Sequence, residues 1–247
     1  MHTAGYHTGP NCITAVALIT DSAGWVFTIT RNALAMKKLT STTTFLLAFY
    51  ILPLIAKPEL LLTWPVLVLA LFCTVLFITQ PALSITESRE HKGTDGWTIW
   101  LILGVSGAGQ IGSLMEWAYF QGAPLAMDAW TTAGVVCLVA GTTFRLWAIN
   151  TLKNNFAATV QIKQDQQLIT TGPYRWLRHP SYTGAWIAMI GAALLMHSYL
   201  GLVLMGPGML LVYMRRIAVE ERTLEQAFGN AYTSMKQNTQ RLVPGVW

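Results

Sequence analysis

The residues able to do chemistry gather in three places. Arg145 sits near one end of a long apolar stretch. The run Thr171-Gly172-Pro173-Tyr174-Arg175-Trp176-Leu177-Arg178-His179-Pro180-Ser181-Tyr182-Thr183-Gly184 is polar and aromatic, and Arg216 precedes Glu220 and Glu221. Charged side chains at membrane depth are costly and mark functional sites by default. Each also has a plainer reading. Arg145 could snorkel to the headgroups from a helix end, and His179 beside a proline could be only a turn residue. Arg216 and Glu220 could form an i,i+4 surface pair, adding about a few tenths of a kcal/mol. Arg before Glu is the weaker order for such a pair, which favours separate tasks. Glu220 and Glu221 stand about 100° apart around a helix, so one is expected to face the site and the other solvent. Tyr174, Trp176 and Tyr182 could form an interfacial aromatic belt.

The elements that position these residues are membrane helices. The chain has 247 residues, 53% of them hydrophobic and only 11% charged, where soluble domains carry roughly a quarter charged residues. Too few charges remain to cover a water-facing surface. Candidate spans lie at 12–30, 41–56, 60–80, 97–119, 128–150, 183–198 and 200–216. The first is interrupted by Asp21 and Ser22, the second and third are joined by the turn Lys57-Pro58-Glu59, and the last two by His197-Ser198-Tyr199. With about seven spans and the N-terminus outside, the basic residues between spans fall on the cytosolic face, except Lys57. The expectation is an all-α, multi-span membrane protein with a cytosolic loop at 151–182 and an amphipathic C-terminal helix after Arg216. Residues 1–120 are read as N-terminal transmembrane helices and 121–247 as the functional core.

Cys12, Cys73 and Cys137 lie in apolar stretches without metal-ligand spacing, so neither a metal site nor a disulfide framework is expected. The net charge of +5 is scattered along the membrane flanks rather than concentrated in a run, so no nucleic-acid partner is expected. The N-terminal residues lack the basic start of a cleaved signal peptide.

The pattern Gly-Pro-Tyr-x-x-x-Arg-His-Pro-Ser-Tyr-x-Gly, a hydrophobic hairpin, Arg216-x-x-x-Glu220-Glu221 and Phe228-Gly229-x-x-Tyr232 resembles the isoprenylcysteine carboxyl methyltransferase family. The likeness covers roughly residues 128–247, including Phe144-Arg145 and Asn155-Phe156. It implies S-adenosylmethionine as cofactor, surrounded by Gln161, Gln166, Gln167, Leu168, Ile169, Tyr174, His179, Pro180, Ser181, Tyr182 and Glu220. It further implies that Arg216 and Arg145 face the methyl acceptor, as catalytic residues. Arg241 and Pro244 resemble the family's terminal Arg and Pro, without an assigned chemistry.

These residue types suit methyl transfer from a sulfonium, which demands positioning and exclusion of water rather than a metal or a covalent intermediate. A carboxylate acceptor is already ionised and needs an arginine, not a base. An amine or thiol acceptor would call for a base, with His179 or Glu221 the candidates. Two arginines and no clear base favour the carboxylate of a prenylated cysteine, a lipid-modified acceptor, over a phospholipid amine or a small thiol. The readings from other classes are a transporter, which would place ionisable residues near the midplane in corresponding halves, and a catalytically silent scaffold. The compact chain suggests the plasma membrane of a prokaryote rather than the endoplasmic reticulum.

Overall fold

The computed structural model describes residues 40–79, 96–153, 168–243 and 245. The chain divides into two units, Met1–Phe45 and Leu46–Trp247. Of the first, only residues 40–45 are described, and they are helical. The expected first span at 12–30, residues 154–167 of the 151–182 loop with Gln161, Gln166 and Gln167, and Pro244 lie outside the described residues.

The second unit opens with a π-helical turn, Leu47–Ile51, and a short 3-10 turn, Pro58–Leu60. Its helices are α1 (Trp64–Ile78), α2 (Gly96–Met115, prolonged by the π turn Glu116–Phe120), α3 (Ala129–Leu152), α4 (Pro180–Leu195), α5 (Tyr199–Val203), α6 (Met209–Phe228) and α7 (Asn230–Asn238). The expected helical class holds. Among the described residues, three helices are long and apolar enough to cross a membrane: Trp97–Phe120, Ala129–Leu152 and Tyr199–Phe228. Thr40–Ile51, Trp64–Ile78 and Pro180–Leu195 are apolar but shorter. Leu71, Trp100, Val136 and Leu211 are all exposed on the outside of these helices. An apolar exterior of this kind is what lipid, not water, solvates.

Local chemistry explains the helix ends. Asp128 and Thr131 form a reciprocal capping box at the start of α3, with Thr131 N donating to Asp128 Oδ1 at 2.8 Å and Asp128 N to Thr131 Oγ1 at 2.7 Å. Pro180 stands at the first helical position of α4, where its missing N–H is not needed. At the far end of the α4–α5 turn, Glu116 accepts from Ser198 Oγ (2.5 Å), Leu200 N (3.0 Å) and Tyr199 N (3.3 Å), placing a carboxylate at the start of α5. Pro207 cannot donate to the ladder, and the π turn Leu204–Gly208 joins α5 to α6 there. The Gly206 carbonyl also accepts from Trp186 Nε1 at 2.9 Å.

Small residues hold α3 against α4. A Cβ added at Gly141 would lie 2.5 Å from the Ala188 backbone N, and one at Gly134 2.5 Å from that of Leu195. Reciprocally, a Cβ at Gly184 would lie 2.6 Å from Arg145 N, and one at Gly191 2.6 Å from Leu138 N. The two backbones are in contact at four glycines, each seven residues from the other on its helix. In lipid, where apolar side chains gain little by leaving the solvent, such close approach is a main source of helix association.

The expected end of the last span at Arg216 is not a structural boundary. Helix α6 continues to Phe228, where Gly229, at φ +51°, ends it. Arg216, Glu220 and Glu221 therefore ride on one rigid helix with the apolar segment that precedes them.

Candidate active site

The site forms where the last turns of α3, the start of α4 and the middle of α6 meet. The glycine contact brings the end of α3 onto the start of α4, so Arg145 Nη1 donates to the Ser181 carbonyl at 2.9 Å. Arg145 is buried, with 3% of its surface exposed, and its charge lies among the phenols of Tyr213, Tyr182 and Tyr174. It does not snorkel outward. Tyr182 stands at the centre: its hydroxyl donates to Glu220 Oε2 at 3.0 Å and accepts from Arg216 Nε at 3.4 Å. Its ring stacks on His179 and tilts against Tyr213, with centroids 5.8 and 4.8 Å apart. Arg216 is buried too, and its Nη1 reaches Thr98 Oγ1 of α2 at 3.3 Å.

The two glutamates depart from expectation. Glu221, expected at solvent if Glu220 faces the site, is the more buried of the two, with 4% side-chain exposure against 28% for Glu220. Arg178 Nε donates to Glu221 Oε1 at 2.7 Å, and Arg241 Nε to Oε2 at 3.1 Å. The His179 ring lies between both carboxylates, with Nδ1 3.9 Å from Glu220 Oε1 and Nε2 3.5 Å from Glu221 Oε1. These are ion-pair distances rather than good hydrogen bonds. The separation of about 100° is real, but the ring fills the angle, so both side chains converge on one residue.

The C-terminal segment holds this arrangement. Arg178 N donates to Gln240 O (2.8 Å), His179 N to Arg241 O (3.1 Å) and Gln240 N to Trp176 O (2.9 Å), around the isolated β-bridge of Leu177 with Gln240. Thr183 Oγ1 donates to Leu242 O at 2.7 Å, and Arg178 Nη1 to the carbonyls of Lys236 and Thr239. Arg241, without a role in the sequence, is thus an ion-pair partner of Glu221. Thr98 is the other residue missed, and a threonine opening an apolar helix carries no signal in the sequence.

Leu168 and Ile169 pack, partly buried, against a cluster of Ala148, Tyr174, Tyr232 and Met235. Burial, aided by the Glu220 charge, pushes the Tyr174 phenol up, so it stays protonated and able to donate. Pro180 and Ser181 are buried at the start of α4. The aromatic belt survives only at Trp176, which is exposed and packs edge-on against Trp147 at 6.1 Å. The structure therefore brings Arg145, Tyr174, His179, Pro180, Ser181, Tyr182, Arg216 and Glu220 to one end of the helices, with Leu168 and Ile169 beside Tyr174. No group of three potential metal ligands occurs among the described residues.

The donor set fits a ligand bearing an ammonium group. Glu221 already has two guanidinium partners, whereas Glu220 meets only Tyr182 and His179 among the described residues and keeps part of its side chain open. A half-open carboxylate framed by a phenol and an imidazole can accept an ammonium without displacing a buried partner.

A bundle of apolar helices closing over a buried cluster of Arg, Tyr and Glu defines a multi-pass helical membrane protein. The chain superposes on a eukaryotic intramembrane Ras methyltransferase, isoprenylcysteine carboxyl methyltransferase, with a TM-score of 0.58 over 97% of this chain and 88% of that one, at 20% identity. Residues 129–231 match the family model for phospholipid methyltransferases. Protein-S-isoprenylcysteine O-methyltransferases of Dictyostelium discoideum and Saccharomyces cerevisiae are 29% identical over 134 residues and 34% over 114. Those matches cover 53% and 45% of this chain and 56% and 48% of the relatives, so the chain spans about half the length of the curated relatives it matches. Over its C-terminal half the chain is similar to isoprenylcysteine carboxyl methyltransferases.

Proposed function

We propose that this protein methylates the carboxylate of a prenylated cysteine, with S-adenosylmethionine as the methyl donor. The observation that carries the reading is the linkage of Glu220 to Arg216 through the Tyr182 hydroxyl. A cation-accepting group and an anion-holding group stand side by side, buried at the end of a membrane helix bundle. The donor supplies an electrophilic methyl on a sulfonium, which an oxygen nucleophile can take by in-line displacement.

The chain's own residues do the rest. Glu220 accepts the ammonium of the donor, and His179 and Tyr182 fix the rotamer of that carboxylate. Arg216 and Arg145 hold the acceptor carboxylate. A guanidinium can grip one through two parallel hydrogen bonds, leaving a lone pair aimed at the methyl. The carboxylate is ionised near neutral pH, so no residue has to remove a proton. Burial of both arginines excludes water, which strengthens each charge contact. Such positioning accounts for several kcal/mol of barrier in comparable systems, to order of magnitude. Gln161, Gln166 and Gln167 complete the donor site in this reading.

Residues 121–247 carry this core and 1–120 the supporting helices, with Thr98 reaching Arg216 from the latter. The site faces the cytosol, the side of the soluble donor, while the lipid chain of the acceptor enters from the bilayer. The prokaryotic plasma membrane expected from the compact chain gains no support from the eukaryotic relatives. The match to the phospholipid methyltransferase model makes a phospholipid amine the second acceptor to test. The direct test is titration of purified protein in mild detergent with S-adenosylhomocysteine. Saturable binding that Glu220→Ala abolishes is expected, and no binding at high micromolar ligand overturns the reading.

A further inference from the structure

Tyr232 belongs to the family-like pattern, and the mechanism above gives it no task. It lies on α7 with 1% of its surface exposed, yet its hydroxyl makes no hydrogen bond among the described residues. A buried hydroxyl without a partner costs roughly 1–3 kcal/mol, and native structures keep few of them. Its ring packs in the cluster of Ala148, Tyr174 and Met235, against which Leu168 and Ile169 also lie. These are flat and aliphatic surfaces, the kind that sandwich an aromatic base.

We propose that the Tyr232 hydroxyl is a binding residue for the nucleoside end of the methyl donor, donating to a neutral acceptor atom on its purine or ribose. The inference rests on the methyl-donor reading. Charge decides between the two ends of the donor molecule. Glu220, Glu221 and Glu225 all act on the Tyr232 phenol, against Arg178 alone on the other side, and Arg178 is engaged by Glu221. Burial first, and then that negative field, keep the phenol protonated and able to donate. The field also repels the donor's amino-acid carboxylate. A ring nitrogen or ribose oxygen carries no such penalty, and the apolar cluster matches the base. The ammonium then lies at Glu220 and the base beside Tyr174 and Tyr232.

The test is Tyr232→Phe, which removes one oxygen and keeps the ring. Binding of S-adenosylhomocysteine and of 5′-methylthioadenosine, which lacks the amino-acid end, is measured by calorimetry on the full chain in detergent, together with thermal unfolding. The variant should weaken both ligands by a similar factor, roughly tenfold. Unfolding without ligand should stay level or rise, because the unpartnered hydroxyl is gone, while the ligand-induced shift shrinks. Unchanged affinities for both ligands overturn the proposal and leave the methyl-donor reading standing. A loss confined to S-adenosylhomocysteine overturns the nucleoside assignment. If the unaltered protein binds neither ligand, the methyl-donor reading fails and this inference with it.

Discussion

Arg216 and Glu220 are one helical turn apart and share Tyr182, yet the proposed chemistry gives them separable tasks. Glu220→Ala should abolish binding of S-adenosylhomocysteine. Arg216→Ala should keep binding within about threefold while lowering turnover by two or more orders of magnitude, to order of magnitude for a lost charge clamp. Calorimetry and a single-turnover assay separate the two, and an Arg216→Ala enzyme active on a carboxylate would remove Arg216 from the acceptor site. Glu221 has a structural task instead. Replacing it with Ala strands Arg178 in a buried position, which should cost about 3–5 kcal/mol, read as a fall in unfolding temperature with residual cofactor affinity in whatever protein stays folded. At this scale the sequence was informative about which residues gather, because Gly-Pro-Tyr, Arg-His-Pro-Ser-Tyr and Arg-x-x-x-Glu-Glu sit within short stretches. It misled about Glu221, because helical angle says where a side chain leaves the backbone, not what stands in front of it. Arg241 and Thr98 were out of reach, since their partners lie 20 and 118 positions away.

The pairing of α3 with α4 decides where Arg145 and Ser181 meet. Gly184→Val would drive two methyl groups into the Arg145 backbone, already 2.6 Å from a bare Cβ. It should separate the helices, lower the unfolding temperature by several degrees and abolish turnover, whereas Gly104→Ala, which meets nothing within 4 Å, should leave both unchanged. Equal tolerance of the two substitutions would show that the contact does not position the site. Helix existence was legible from apolar length, and five of the expected spans fall on helices whose ends shift by a few residues. One boundary and one pairing were not legible. Helix α6 runs past Arg216 with Val212, Tyr213, Arg216, Ile217 and Glu221 buried along it, so hydropathy fades where the backbone does not. The heptad spacing of Gly134 with Gly141 and Gly184 with Gly191 was open to reading, but spacing alone does not say which helix is the partner.

Across the whole molecule, the site and the Glu116–Ser198 cap stand at opposite ends of the long helices. Single cysteines at Arg222 and Phe120, both exposed, in a background without other cysteines, should label with an impermeant maleimide from opposite sides of sealed vesicles. Labelling of both from one side would break the proposed topology. The orientation proposed here rests on charge distribution, since basic residues flank the expected spans on one face. The proposed acceptor was less readable, because recognition of a lipid chain would be spread over apolar side chains that look like any other membrane helix surface. The measurement that bears most directly on the central claim is transfer of labelled methyl from S-adenosylmethionine, with a farnesylated cysteine, a phosphatidylethanolamine and a small thiol offered in parallel. The account predicts a base-labile methyl ester on the farnesylated cysteine, lost in Arg216→Ala. Label on the amine or the thiol, or on none of the three by protein that binds S-adenosylhomocysteine, would contradict it.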